Sequence, residues 1–242
     1  MNLTDKIQVF NMDCMEYMAG LEDNFFDLAI CDPEYGLDAG NYSNKPCTVR
    51  QTNGSVLKVS KPAYKKSDYD KRPVNPHVLV EIIRVSKKQI IWGGNYFGLS
   101  GGYLVWDKLN GRTDQYDAEL AWISWSKEIR TVYYMWSGMF QGRTVSSKIN
   151  KALYQIGDKS KNEKRIHPQQ KPVKLYEYLL KNYATQGDRI IDTHSGSVSL
   201  AIACHNYGYE FVGLELDKEY YESAVKRFKE VTSQTKLFIP ET

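Results

Sequence analysis

The sequence predicts an α/β fold in which a mostly parallel sheet carries helices on its faces. Short apolar runs alternate with amphipathic runs along the chain, which is typical of this architecture. Residues 189–231 give the order strand, glycine-containing turn, helix, strand, helix, which indicates a nucleotide-binding half-fold. A chain of 242 residues with 42% hydrophobic residues fits a single domain over residues 1–242.

The individual elements follow from the period of their apolar residues. Strands are predicted at short apolar runs, namely residues 7–10, 27–31, 89–92, 103–106, 119–125, 189–193 and 211–216, with 131–136 as a further candidate. Helices are predicted at amphipathic runs, namely residues 14–21, 76–85, 172–184, 198–207 and 218–231. Pro172 fits the start of its helix because the first turn tolerates proline.

Two segments without a clear period carry clusters of basic residues. Residues 36–75 are rich in Gly, Asn, Ser, Lys and Pro and are predicted to form a long mobile loop, while residues 137–170 are polar and basic. Such clusters suit a phosphate backbone, although a solvated loop explains either segment alone equally well. The candidate nucleic-acid-binding residues in them are Lys45, Arg50, Lys58, Lys61, Lys65, Lys66, Arg143 and Lys148.

Composition argues against several other classes of protein. The chain lacks a run of about 18 apolar residues, the length from which a transmembrane helix is suspected. Its N-terminal segment also lacks the apolar centre of a signal peptide, so a cytoplasmic location is expected. The cysteines form no CxxC pair and no ligand spacing with the histidines, so reduced thiols and no metal are expected at Cys14, Cys31, Cys47 and Cys204.

The first candidate site follows the predicted strand 27–31, where the chain runs Asp32-Pro33-Glu34-Tyr35-Gly36. Ligands of open α/β sheets lie beyond the carboxyl ends of the strands, so this break faces the predicted pocket. Residues of this kind suit chemistry on an adenine amino nitrogen, which is a poor nucleophile because its lone pair is delocalised into the ring. Asp32 and a backbone carbonyl oriented by Pro33 can accept hydrogen bonds from the two N–H groups of that nitrogen. Tyr35 offers a face on which an extruded base can stack. An ordinary turn after a strand explains the same residues.

Two later strand ends carry a cofactor pattern. The strand 189–193 runs into Asp192-Thr193-His194-Ser195-Gly196-Ser197, where a glycine turn before a helix lets backbone amides approach a cofactor. Glu215 follows about 20 residues further on, the offset of an acid that binds ribose hydroxyls. This pair fits NAD or FAD as well as S-adenosylmethionine, but the absence of a full GxGxxG weakens the dinucleotide alternative.

Two shorter segments add further candidates. His167-Pro168-Gln169-Gln170-Lys171-Pro172 places a histidine and a lysine beside a helix start, where they can hold a carboxylate, although a His-Pro pair is more often a turn. Asp13 follows the first predicted strand. It can accept from an adenine amino group, and it can equally well cap the helix that begins there.

Together these segments resemble the β-class DNA amino-methyltransferases, in particular the short prophage-type adenine enzymes. Residues 32–36 resemble the DPPYG catalytic motif of that family, and residues 167–172 its HPTQKP segment. The other matching segments are residues 93–97, 106–108 and 136–139 in the centre and 192–197 and 213–217 at the cofactor strands. The catalytic motif precedes the cofactor half, which is the circular permutation of that class. The resemblance covers residues 7–231.

The resemblance implies a Rossmann-like, S-adenosylmethionine-dependent methyltransferase fold with a mixed sheet of about seven strands. It implies methyl transfer to N6 of adenine in double-stranded DNA after base flipping, with Asp32, Pro33 and Tyr35 in catalysis. The residues implied around the cofactor are Asp13, Cys14, His167, Lys171, Asp192, Thr193, Gly196, Ser197 and Glu215. Residues 107–166 are expected to form an inserted target-recognition region, and a homodimer is a further expectation.

Two positions depart from the family pattern. Glu34 stands where a second proline is usual, and Val198 stands where many members have glycine. Because both bear on the level of activity, a catalytically impaired DNA-binding relic is one alternative. An N4-cytosine methyltransferase is another. A C5-cytosine enzyme, with Cys47 as its nucleophile, leaves the site at Asp32 unexplained.

Overall fold

The computed structural model of the protein describes residues 1–37, 47–50, 54–59, 70–110, 116–137, 140–152 and 162–233. The strands are β1 (Ile7–Asn11), β2 (Phe26–Cys31), β3 (Cys47–Arg50), β4 (Val56–Val59), β5 (Ser86–Trp92), β6 (Gly102–Asp107), β7 (Ala118–Ile123), β8 (Ile129–Tyr133), β9 (Trp136–Ser137), β10 (Phe140–Gln141), β11 (Arg189–Asp192) and β12 (Glu210–Glu215). The helices are α1 (Cys14–Ala19), α2 (Pro76–Val85), α3 (Ile149–Ala152), α4 (Val173–Tyr183), α5 (Ser199–Tyr207) and α6 (Lys218–Thr232).

The main sheet has eight strands in the order β1-β12-β11-β2-β5-β7-β6-β8. The first five strands in this order pair in parallel; they are β1, β12, β11, β2 and β5. In the rest of the sheet, β7 pairs antiparallel with both β5 and β6. The predicted α/β class and the mixed sheet are therefore confirmed. The strand that brings the number from about seven to eight is β8, which pairs with β6 and overlaps the candidate at 131–136.

The parallel strands are buried on both faces, which is why their sequences are almost continuously apolar. Successive side chains of a strand point to opposite faces of the sheet. Leu28 and Ile30 of β2 accordingly pack in one hydrophobic cluster, and Ala29 and Cys31 pack in the other. Helix α5 belongs to the first of these clusters, and its residues 199–204 are all buried.

The topology brings three predicted strand ends to one edge of the sheet. β2 ends directly before Asp32, β11 ends at Asp192 and β12 ends at Glu215. β11 lies between the other two, and all three run in the same direction. The carboxyl groups that the sequence assigned to catalysis and to the cofactor therefore face a common crevice.

Some elements differ from the sequence prediction. Within residues 36–75, predicted as a loop, β3 and β4 form an antiparallel hairpin in which Arg50 pairs with Val56. Within residues 137–170, for which no period was found, there are β9, β10 and α3. Pro172 occupies the N-cap position of α4 instead of its first helical residue, because its ψ of 145° is extended. No helix of the described residues is long and apolar enough to cross a membrane.

Candidate active site

A cavity of about 510 Å³ opens at this edge of the sheet. Segments that follow β1, β2, β11 and β12 line it, together with residues that precede α4. Ten of the predicted site residues belong to the lining: Asp13, Cys14, Asp32, His167, Lys171, Asp192, Thr193, Gly196, Ser197 and Glu215. The sequence therefore predicted a set of residues that the fold brings together, although they are up to about 200 positions apart in the chain.

Asp32 is bound through both of its carboxylate oxygens. The hydroxyl of Tyr35 donates to its Oδ1, and the ammonium of Lys171 forms an ion pair with its Oδ2. Lys171 Nζ also donates to the Tyr35 hydroxyl, at 3.2 Å. Burial raises the pKa of Asp32, Lys171 opposes that rise, and Glu119 adds to it.

Glu119 is a partly buried site residue, with 22% of its side chain exposed, that the sequence analysis did not identify. It lies on β7, and its carboxylate binds Lys171 at 3.0 Å and Lys108 at 2.5 Å. Burial alone would raise the pKa of Glu119, but the two lysines outweigh burial and hold that pKa at about 2. The one sequence feature that could have indicated Glu119 is that it is the only acid in the apolar strand AELAWI. A single acid is equally typical of a strand that turns one face to solvent.

Lys171 lies closer to the catalytic segment than the sequence suggested. It was predicted beside His167 around the cofactor, where the two would hold a carboxylate. It does line the cavity, but its ammonium is bound to the carboxylates of Asp32 and Glu119. Burial opposes the charge of Lys171, yet these two carboxylates outweigh burial and raise the pKa of Lys171.

His167 is a neutral, buried side chain. Burial, with Lys171 as the second cause, lowers the pKa of His167 to about 4. Its ring lies edge-on against Tyr220, with 4.5 Å between centroids. An uncharged imidazole offers a hydrogen bond and a packing surface, so His167 can take part in ligand binding without a charge.

Aromatic rings surround the catalytic segment. The ring of Tyr35 stacks on Tyr96 with a centroid distance of 5.1 Å and an angle of 18° between planes, and Phe97 meets it edge-on at 6.2 Å. Gly93 makes this packing possible, since a Cβ at that position would lie 2.2 Å from the Tyr35 ring. Tyr96 is 46% exposed, so this aromatic group reaches the surface.

The part of the cavity predicted to hold the cofactor is organised around Glu215 and Asp192. The backbone N–H groups of Gly196 and Asp217 donate to the two carboxylate oxygens of Glu215, both at 2.9 Å. The N–H of His194 donates to Asp192 at 3.0 Å. Burial is the main cause that raises the pKa of Asp192 to about 8 and the pKa of Glu215 to about 7.

Asp13 takes the capping role that was predicted as one of its two alternatives. Its Oδ1 accepts from the N–H of Met15 at 2.7 Å, so it caps α1, and it also lines the cavity. Its neighbour Cys14 lines the cavity as a protonated thiol, because burial and nearby Asp13 raise the pKa of Cys14 to about 11.

The two departures from the family pattern have distinct surroundings. Glu34 Oε2 lies 3.4 Å from His194 Nε2, so this pair links the catalytic segment to the cofactor turn. Val198 is buried, and its φ of 55° lies in the left-handed region that L residues with a branched Cβ rarely adopt.

The predicted nucleic-acid contacts are described only in part. Arg143 and Lys148 are exposed on the segment around α3, and Arg50 and Lys58 lie on the strands of the β3–β4 hairpin. Lys45, Lys61, Lys65 and Lys66 lie outside the described residues. Arg72, from the same basic segment, lines the cavity. The described part of the chain contains no group of three side chains suited to a metal ion.

The model of a family described as DNA methylase, with N6 and N4 specificity in its name, matches residues 27–226. The chain belongs to this family of DNA methylases. N6 and N4 are exocyclic amino nitrogens, so the family does not fit the C5-cytosine alternative with Cys47. The matched residues include the whole arrangement of Asp32, Lys171, Asp192 and Glu215.

Individual relatives of this N6/N4 methylase are distant. The Type II methyltransferase M2.MboI of Moraxella bovis is 22% identical over 254 residues, which cover 93% of this chain and 88% of that protein. The Type II methyltransferase M.HpaI of Haemophilus parainfluenzae is 37% identical over 68 residues, 28% of this chain and 21% of that protein.

Solved structures show the same fold. A protein of Thermus thermophilus described as a DNA modification methylase, in complex with S-adenosyl-L-methionine, has a TM-score of 0.50 and 14% identity, covering 97% of this chain and 100% of that one. The PvuII DNA methyltransferase, described as cytosine-N4-specific, has a TM-score of 0.51 and 11% identity, with 93% and 89% of the chains covered. The fold is therefore the Rossmann-like fold of methyltransferases.

Proposed function

We propose that this DNA methylase transfers a methyl group from S-adenosylmethionine to N6 of adenine in double-stranded DNA. The observation that carries the proposal is the cavity in which Asp32, at the end of β2, faces Asp192 and Glu215, at the ends of β11 and β12. A base-activating carboxylate and a cofactor site thus share one space, as transfer between two bound molecules requires.

The lining of the cavity fits S-adenosylmethionine. Glu215, held by two backbone N–H groups, suits the ribose hydroxyls, and the turn at Gly196 and Ser197 allows a close approach of the backbone. The carboxylates in the lining suit a ligand that carries a sulfonium and an ammonium group; they are Asp13, Glu34, Asp192, Glu215 and Asp217. The likeness in fold to the Thermus protein, which holds S-adenosyl-L-methionine, supports this choice.

Asp32, Pro33 and Tyr35 would act on the extruded base. When bound, S-adenosylmethionine supplies the methyl group: the amino nitrogen forms the new bond to carbon, the carbon–sulfur bond breaks with its electron pair left on sulfur, and the nitrogen passes one proton to the carboxylate of Asp32. Asp32 accepts a hydrogen bond from the amino group, which makes its lone pair more available, and the Pro33 carbonyl accepts the second. Tyr35 holds the base by stacking.

DNA binding falls to the basic segments in this proposal. Exposed Arg143 and Lys148 belong to residues 107–166, which remain the predicted target-recognition region, although β7 and β8 of that region are strands of the main sheet. The basic segment 36–75 begins directly after Tyr35 and returns to the cavity at Arg72. Its position lets its cations contact phosphates beside an extruded base.

The substitution Asp32→Ala tests the catalytic assignment. Transfer of labelled methyl groups to DNA should fall by about a hundredfold or more, while the dissociation constant for S-adenosylmethionine should stay within about tenfold of wild type. The matched control is Asp5→Ala, at an exposed position, which should keep wild-type activity. An Asp32→Ala variant that still transfers methyl groups would contradict the assignment. A wild-type protein that binds DNA without any transfer would identify the chain as a relic of the family.

N4-cytosine methylation is the second candidate function, and the likeness in fold to the PvuII enzyme favours it. The amino groups of adenine and cytosine present the same pair of N–H bonds to Asp32 and the Pro33 carbonyl. Nucleosides from DNA methylated by the protein decide between the two. N6-methyl-2′-deoxyadenosine is expected, and N4-methyl-2′-deoxycytidine in its place would replace the adenine proposal.

A further inference from the structure

Four charges, on two buried lysines and two partly buried acids, form an alternating row that ends at the predicted catalytic carboxylate. Lys108 follows β6, Glu119 lies on β7, Lys171 precedes α4 and Asp32 follows β2. Lys108 Nζ lies 2.5 Å from Glu119, Glu119 lies 3.0 Å from Lys171, and Lys171 is in direct contact with Asp32. The row joins the antiparallel part of the sheet to the parallel part that carries the cavity.

Aromatic rings keep water from the two lysines. Lys171 Nζ lies 4.9 Å from the centre of the Trp92 ring and 5.6 Å from that of Tyr35. Lys108 Nζ lies 5.2 Å from the centre of the Trp106 ring. The Lys171 side chain is 3% exposed, so its charge must be balanced by the protein, and Asp32 and Glu119 share that task.

We propose that Glu119 is a positioning residue of the methyl-transfer site, which takes part of the charge of Lys171 and so leaves Asp32 free to accept the hydrogen bond of the target amino group. The inference rests on the proposed function, since it concerns how Asp32 works in it. With Lys171 bound to Asp32 alone, the carboxylate would be a weaker acceptor, because a full ion pair would hold it. Lys108 neutralises part of the charge of Glu119 in the same way, because it forms an ion pair with the same carboxylate as Lys171 does.

The charged and titratable groups that face Asp32 come from every element around it. They are Tyr35 on its own segment, Lys171 before α4, Tyr176 on α4, Glu119 on β7 and Asp192 at the end of β11. Lys171 lowers the pKa of Asp32 and Glu119 raises it, after burial as the largest cause. Glu119 and Lys108 should therefore act on Asp32 with opposite sign.

The test is the pH dependence of single-turnover methyl transfer, started from the complex of enzyme, DNA and S-adenosylmethionine. Glu119→Gln should slow the step by about tenfold. It should also move the acidic limb of the pH–rate profile down by about one pH unit, because Lys171 then lowers the pKa of Asp32 without opposition from Glu119. Lys108→Gln should move the same limb upward by a smaller amount, because Glu119 becomes less neutralised. Glu119→Asp keeps the charge and should return the limb to its wild-type position.

Glu128→Gln is the matched control, since Glu128 forms an exposed ion pair with Arg130 next to the same sheet. It should leave both rate and limb unchanged. Glu119→Gln removes a carboxylate from two buried lysines, Lys108 and Lys171, and should therefore lower the unfolding temperature. S-adenosylmethionine binding, which should stay close to wild type in Glu119→Gln, shows that the variant is folded. An unshifted limb in Glu119→Gln would overturn the inference, and so would shifts of the same sign in Glu119→Gln and Lys108→Gln. The proposed function would still stand in both cases if the wild-type protein transfers methyl groups. Wild-type protein that transfers no methyl group would instead remove the proposed function itself.

Discussion

At the scale of single residues, two acids of the cavity keep their protons to unusual pH values. Burial is the main cause that raises the pKa of Glu215 from 4.5 to about 7 and the pKa of Asp192 from 3.8 to about 8. The fold has removed water from both carboxyl groups, which disfavours their charged forms. A ribose hydroxyl that donates to Glu215 would favour the charged form again, so ligand binding should lower the pKa of Glu215.

The first prediction concerns stability against pH. Between pH 4.5 and about 7 the folded protein binds more protons at Glu215 than the unfolded chain does, so the free energy of unfolding falls as the pH rises through this window. One group contributes a slope of at most about 1.4 kcal/mol per pH unit. Urea unfolding of the ligand-free protein at a series of pH values measures it. Glu215→Gln should flatten the slope, and an unchanged slope in this variant would contradict the raised pKa.

Val198 provides a second prediction at this scale. Its backbone is left-handed, which costs a residue with a Cβ about 1–2 kcal/mol, while its buried side chain packs in the hydrophobic core. Val198→Ala and Val198→Gly both lose that packing, but only glycine also relieves the backbone. The glycine variant should therefore be more stable than the alanine variant by about 1 kcal/mol, as measured by chemical denaturation. The opposite order, which is normal within helices, would show that the backbone at Val198 carries no strain.

At the scale of elements, α6 is tied to the cofactor turn by Arg227. Its guanidinium donates to the Ser197 carbonyl and to Ser199 Oγ at 3.1 Å, and it pairs with Glu163 at 2.5 Å. Glu163 also accepts from the N–H of Val173 at the start of α4. This ion pair thus connects α6, the start of α4 and the turn that is predicted to approach the cofactor.

The corresponding prediction is a double-mutant cycle. Arg227→Met leaves Glu163, whose side chain is 18% exposed, without its cation. It should destabilise the protein by about 3 kcal/mol, the lower end of the range for a fully buried pair. Glu163→Gln added to Arg227→Met removes the uncompensated charge, so the double variant should recover part of that loss. S-adenosylmethionine binding should weaken in both, because Ser197 loses its support. Additive losses in the cycle would mean that the two side chains are not coupled.

At the scale of the whole molecule, the sequence predicted the individual strands and helices and the site residues that follow parallel strands. Asp32, Asp192 and Glu215 were found because each follows an apolar strand, and the carboxyl ends of parallel strands share an edge. Glu119 was missed because its role depends on β7 lying beside β5, an antiparallel neighbourhood that no local pattern specifies. Lys171 was found, but its ion pairs with Asp32 and Glu119 were not, because they depend on the packing of segments that are distant in the chain.

The strand order has a consequence for the synthesis of the protein on the ribosome. β1 is made first but pairs in the main sheet with β12, and Asn11 of β1 bonds to Glu215, 204 positions later. At typical rates of synthesis this interval is about 10–40 s. During that time the nascent chain carries an unpaired apolar strand, a target for chaperones and a risk of aggregation. Because the cavity needs strand ends from both halves of the chain, a half-made methylase cannot hold its cofactor.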